Sequence, residues 1–118
     1  MVFRPILRDL LASVDGALAA LFIDHLGEAV DTVGMLSDYD LKVIGAYQGI
    51  FLTQIDAIAR PTALGRVDRL KIEWDESTIL HLLVDDEYYV ILVLRAGANE
   101  GIAWNRLAQT RDRIRQEM

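Results

Sequence analysis

The chain has no cysteine among its 118 residues, only two prolines, two histidines and two tryptophans, and an excess of acidic over basic side chains that leaves a net charge of −6. Without cysteine there is no disulfide framework, no thiol nucleophile and no thiolate metal site. That usage fits a reducing, cytoplasmic setting. Acidity argues against nucleic acid and against anionic membrane surfaces, whose negative charge would repel the chain at long range. No apolar run approaches the ~18 residues of a membrane span. The first residues, MVFRPILRDLLASVD, are broken by Arg4, Arg8 and Asp9 and do not read as a signal peptide. What remains is a chain rich in aliphatic side chains and long enough to bury a core, read as a single domain over 1–118.

Pro5 suits a first helical turn, and Ile6, Leu7, Leu10, Leu11 and Val14 recur at helical spacing up to Asp15-Gly16. Ala17 to Asp24 is nearly all apolar and short, as in a strand covered on both faces. After a turn at His25 to Glu28, residues 28–34 alternate as the returning strand of a hairpin. Ser37 to Asp40 offers caps and negative charge to a long helix that Arg60-Pro61 ends. Three more strands follow, over 67–74, 77–85 and 88–95, and a last helix runs from an Asn99 cap to Met118 with Ala103, Leu107, Ile114 and Met118 facing inward. The order α-β-β-α-β-β-β-α describes an α+β sandwich of three layers, with a mainly antiparallel five-stranded sheet and helices on both faces.

The long helix carries the functional signal. At about 100° per residue, apolar side chains cover roughly two thirds of its circumference, far more than one sheet needs. Only Lys42, Gly45, Gly49, Thr53, Asp56 and Arg60 form a polar or small strip. A second surface must cover the excess, and another protein chain is the expected cover. Gly45 and Gly49 each weaken a helix interior by about 1 kcal/mol relative to alanine, so a close contact must offset them. That contact is either intrachain packing or, the reading preferred on sequence, a partner.

Catalytic signals are sparse. His25 falls in a turn and His81 in mid-strand, with no partners at metal-ligand spacing. Asp24 and Glu28 flank a hairpin turn, where carboxylates are common decoration. Neither Gly-x-x-x-x-Gly-Lys-Ser/Thr nor Gly-x-Gly-x-x-Gly occurs, so no nucleotide site, cofactor or metal is expected. Tyr88 and Tyr89 point to opposite faces of their strand and are read as packing residues. The acidic tip 85–87 and the arginines 106, 111, 113 and 115 are read as solvated surface.

The segment Asp15-Gly16-Ala17-Leu18-Ala19-Ala20-Leu21-Phe22-Ile23-Asp24 is followed by Gly27-Glu28-Ala29-Val30, so that an apolar strand ends in Asp-x-x-Gly before a second strand returns. With the long helix and its internal small residues, the strand triplet, and Asn99-x-Gly101-x-Ala103 ahead of Leu107 and Arg111, this resembles the Roadblock family over nearly the whole length. That family comprises dynein light chains and bacterial and archaeal regulators of Ras-like GTPases. The resemblance implies a profilin-like sandwich and a homodimer whose central helices pack together while the third strands pair edge to edge. The dimer interface would then include Ile50, Ala57, Val67, Arg69, Leu70, Lys71 and Ile72. It further implies a non-catalytic module: MglB-type members dock on a small Ras-like GTPase, others are scaffolds of motor or signalling complexes. The docking strip would be Lys42, Gly45, Ala46, Gly49, Thr53 and Asp56. A regulator of this kind would arrange the GTPase's own catalytic groups, since only Arg60 lies near enough to serve as an arginine finger. A small-molecule sensor is the reading from a different class; it needs a pocket between sheet and long helix, where Ile44, Tyr47, Phe51 and Ile58 look bulky enough to fill the space.

Overall fold

A computed structural model describes residues 2–118. Helix α1 (Phe3–Ser13) leads into strands β1 (Ala17–Asp24) and β2 (Ala29–Gly34), helix α2 (Asp38–Ala59), strands β3 (Arg69–Glu73), β4 (Ser77–Asp85) and β5 (Tyr88–Arg95), and helix α3 (Glu100–Glu117). The five strands form one antiparallel sheet in the order β2-β1-β5-β4-β3. The element order and the sheet match the expectation from sequence.

Local chemistry sets the boundaries. Ser37 Oγ accepts from Asp40 N at 3.1 Å and caps α2, and Asn99 Oδ1 accepts from Ile102 N at 3.0 Å and caps α3. In the β1–β2 turn, Asp24 Oδ1 accepts from the amides of Leu26 and Glu28, both at 2.9 Å. Gly27 takes φ +86°, the left-handed conformation that the tight turn requires. Asp24 is thus a turn-former, as expected of it.

The sheet is covered unequally. On one face α1 and α3 seal a core that includes Leu7, Leu10, Phe22, Leu80, Leu92 and Leu107. On the other face α2 alone packs, chiefly on β1 and β2, against Leu21, Ile23 and Ile91. Among the described residues the first core holds 17 buried apolar side chains and the second 9, because one helix cannot span five strands. Met118 departs from the expected inward stripe of α3: it lies beyond the helix end and is exposed. Tyr88 packs beside Phe22 at 5.3 Å between ring centroids, while Tyr89 is buried on the opposite face. Among the described residues no helix is long and apolar enough to cross a membrane.

Candidate interaction surface

Helix α2 turns Leu41, Gly45, Gln48, Gly49 and Leu52 inward. Its outer face carries Tyr39 and Ile58, each 75 % exposed, with Tyr47, Ile50, Ala46 and Ala57 between them. An amphipathic helix on a finished surface would put charge there. Instead a contiguous apolar stripe faces outward, confirming that α2 has more apolar surface than its own sheet uses.

The two glycines correct the expectation for the small strip. Gly45 and Gly49 are buried and face the β1–β2 turn, and do not present backbone to a partner. A Cβ on Gly49 would overlap the Cα and N of Gly27, and one on Gly27 would sit 2.9 Å from the Gly45 and Ala46 carbonyl oxygens. The close contact that offsets two helix glycines is therefore intrachain. Thr53 Oγ1, 3.3 Å from the carbonyl oxygen of His25, donates to the same turn, and Asp56 Oδ1 accepts from Val67 N at 3.1 Å. Of the expected docking residues, Lys42, Ala46 and Thr53 are exposed and Asp56 is half-buried. A helical wheel orders residues by angle but does not say which arc meets the sheet.

Because α2 sits toward β1 and β2, the β4–β3 side of this face is open. A groove of about 550 Å³ runs beside the helix, lined by Ile44, Tyr47, Phe51, Trp74, Ile79 and Val93. The side chains expected to fill this space line it instead, and Ile58 points away to solvent. Trp74 and the groove were not singled out from sequence, although apolar Leu70, Ile72 and Trp74 alternate with charged Arg69, Lys71 and Glu73 and so share one strand face.

At the groove, α2 is tied to the sheet by a buried polar contact. Gln48 and His81 meet with the His81 Nε2 2.7 Å from the Gln48 side-chain amide, and His81 Nδ1 lies 3.0 Å from the Leu70 carbonyl oxygen. Burial pushes the His81 pKa down to about 4, opposed by the hydrogen bond to Leu70, so the ring is neutral at pH 7. A neutral imidazole has one N–H, and a carbonyl can only accept. The proton therefore belongs on Nδ1, and Gln48 must turn its NH2 toward Nε2. Both ring nitrogens are engaged, leaving none free for a metal.

The sheet has two edges of different character. In β3, Trp74 N donates to Ser77 O and Leu83 N to Asp68 O, a register that points the peptide groups of Arg69, Lys71 and Glu73 away from β4. The side chains of Leu70 and Ile72 are half-buried on the α2 side, and Val67 packs on the same core. Arg69 stacks its guanidinium 4.7 Å from the Trp104 ring, and Lys71 Nζ pairs with Glu73 and Glu100 at 2.6 and 2.9 Å, on the α3 side. At the other edge, β2 is walled by α1 and the start of α2 and bulges opposite Phe22 and Ile23. Its Thr32 N–H is already taken by Asp31 Oδ1 at 2.9 Å. Bulges and inward charges protect a strand from pairing with another sheet. Among the described residues, the β3 edge is the one open to a folded partner.

No protein-family model matches the sequence, and no curated protein matches it. Solved structures do. The Roadblock/LC7 domain from Streptomyces avermitilis superposes with a TM-score of 0.88 at 12 % identity, over 95 % of this chain and 93 % of that one. MglB of Myxococcus xanthus gives 0.86 at 11 % identity, over 95 % and 90 % of the two chains. MglC of Myxococcus xanthus gives 0.71 at 27 % identity, with both chains covered in full. The fold of this chain is the fold of the Roadblock family.

Proposed function

We propose that this chain is a homodimerising, non-catalytic module that binds and regulates a small Ras-like GTPase. The observation that carries the reading is that the apolar outer stripe of α2 and the open groove beside it lie on the sheet face that runs out to the unpaired β3 edge. A second copy approaching along that edge satisfies both at once: its β3 answers the peptide groups of Arg69, Lys71 and Glu73, and its α2 covers Ile50, Ala57 and the groove. Interfaces of this kind combine an apolar centre with backbone pairing. Leu70 and Ile72 would extend the apolar layer, and Val67 would lie at its margin.

The GTPase partner rests on the likeness to MglB and MglC structures and on the family resemblance of the motifs. For this chain the docking surface is drawn from the exposed rim of α2, with Lys42, Ala46 and Thr53 and the half-buried Asp56; Gly45 and Gly49 are excluded by their burial. Arg60 is exposed at the C-cap of α2 and is the one arginine within that helix and its caps. Regulation would therefore act by ordering the partner's catalytic groups.

The test mixes the purified protein with the Ras-like GTPases of its own organism, loaded with GTP or GDP, and follows binding and phosphate release. Nucleotide-dependent binding with faster release supports a regulator. Binding without acceleration favours a scaffold, and no binding to any of them contradicts the reading. The groove beside α2 has the dimensions of a ligand pocket, which keeps a small-molecule sensor as the second reading. An apolar dye that binds the groove without dissociating the assembly would favour it.

A further inference from the structure

A groove of about 670 Å³ lies on the opposite side of the sheet from β3, along the free edge of β2 between α1 and the start of α2. Its floor is backbone. Met35 N donates to Leu18 O at 3.0 Å, and Gly34 and Thr32 stand opposite Ala19 and Leu21, so the peptide groups of residues 32 and 34 point away from β1 into the groove. Asp31 answers the Thr32 N–H, but no strand answers the Thr32 carbonyl or the Gly34 N–H and carbonyl. Gly34 has no side chain to screen them, and it is held to glycine because a Cβ would stand 2.7 Å from Leu18 O.

Charge at the walls is opposite in sign to that of the whole chain. Arg4 and Arg8 on α1 and Lys42 on α2 line the groove, against the carboxylates of Asp31 and Asp38. Arg4 is already engaged: its Nη2 donates to Asp31 Oδ1 at 2.6 Å and its Nε to the same oxygen at 3.2 Å. Asp31 is buried, so it neutralises Arg4 without reaching solvent. Arg8 and Lys42 are exposed, on opposite walls, and neither is ion-paired among the described residues. The groove is a net cationic channel in a chain of charge −6.

We infer that the β2 groove is a docking site for a single extended, acidic segment of a partner protein, which adds to β2 through Thr32 and Gly34 and sets its carboxylates on Arg8 and Lys42. The walls that exclude a second folded sheet leave room for one strand. Unanswered peptide groups two residues apart suit an extended backbone. Cations on opposing walls, in place of a converging pair, suit side chains projecting to both sides of a strand. The site is on the other edge from β3, so it stays open in the proposed dimer and does not depend on it.

The test is a titration of the isotopically labelled protein, followed by NMR amide shifts, with a capped six-residue peptide of threonines and paired adjacent glutamates, Thr-Glu-Glu-Thr-Glu-Glu, whose neighbouring carboxylates point to opposite faces of an extended strand. Saturable shifts centred on Gly34 and Thr32 are expected. The same peptide with lysine in place of glutamate, and inorganic phosphate alone, should leave those amides unmoved. The double variant Arg8→Glu, Lys42→Glu, shown folded by circular dichroism, should bind the acidic peptide about tenfold more weakly or worse and should gain binding to the lysine peptide. The inference is overturned if the acidic peptide gives no saturable shift at β2, if phosphate reproduces its effect, or if the double variant binds both peptides as the unaltered protein does.

Discussion

Two glycines that meet between α2 and the β1–β2 turn decide how α2 sits. Gly49 lies against Gly27 so closely that any Cβ meets backbone, which cannot yield as a flexible side chain can. Gly49→Ala should therefore lower stability by about 1–3 kcal/mol despite alanine's better helix propensity, read as a lower urea midpoint. At Gly45 the added Cβ would meet Ile23 Cγ2 at 3.3 Å and little else tightly, so Gly45→Ala should change stability by less than about 1 kcal/mol. Equal losses at both positions would contradict the packing described. His81 makes a pH prediction. Its folded pKa of about 4 lies below the ordinary 6.5, so on acidification the unfolded chain binds the proton first. The contribution of neutral His81 is complete above pH 6.5 and is lost as pH falls toward 4, by about 3 kcal/mol in all. Urea unfolding of the protein and of His81→Leu across that range should show a steeper loss in the protein than in the variant, and parallel curves would refute the assignment. Little of this was legible in the sequence: a histidine in mid-strand and a glutamine in an apolar helix gave no sign of contact, because residues 48 and 81 meet only once α2 is laid across the sheet.

Among the elements, β1 and β5 were legible because doubly covered strands read as nearly continuous apolar runs, and both fall where those runs fall. Helix α2 was legible in its extent and in its surplus of apolar surface, since caps and periodicity are local properties. Its orientation was not. The same wheel allowed the glycine strip to face outward, and only the left-handed turn at Gly27 explains why it faces in. The edges follow the same division: alternation marked β3 as half-exposed, but nothing in residues 29–34 announced that Asp31 would take the Thr32 N–H. Two substitutions test the elements separately. Lys71→Pro removes an N–H that no strand of the chain uses, so the protein should keep its cooperative melt while losing self-association by light scattering. Ile50→Asp should likewise dissociate the protein without unfolding it, since Ile50 is 47 % exposed in the single chain. If either variant stays associated like the parent, the corresponding element is not in the interface.

At the scale of the whole molecule, the asymmetry between the two sheet faces becomes a functional argument. One face is finished by two helices; the other is left with an apolar stripe, an open groove and an unpaired edge, all adjoining. An isolated chain with that surface would expose a contiguous apolar patch of the sort that marks interaction sites. The β2 groove, cationic and on the far edge, meets the proposed docking rim of α2 at Lys42, so a folded partner across the helices and an extended segment at β2 would compete for that side chain. The central claim is that the exposed α2 face and the β3 edge are covered by a second copy. The most direct measurement is the mass in solution at micromolar concentration by light scattering, for the protein and for Lys71→Pro. The account predicts twice the chain mass of 13.3 kDa for the protein and the single-chain mass for the folded variant; a monodisperse 13.3 kDa species for the unaltered protein would contradict it.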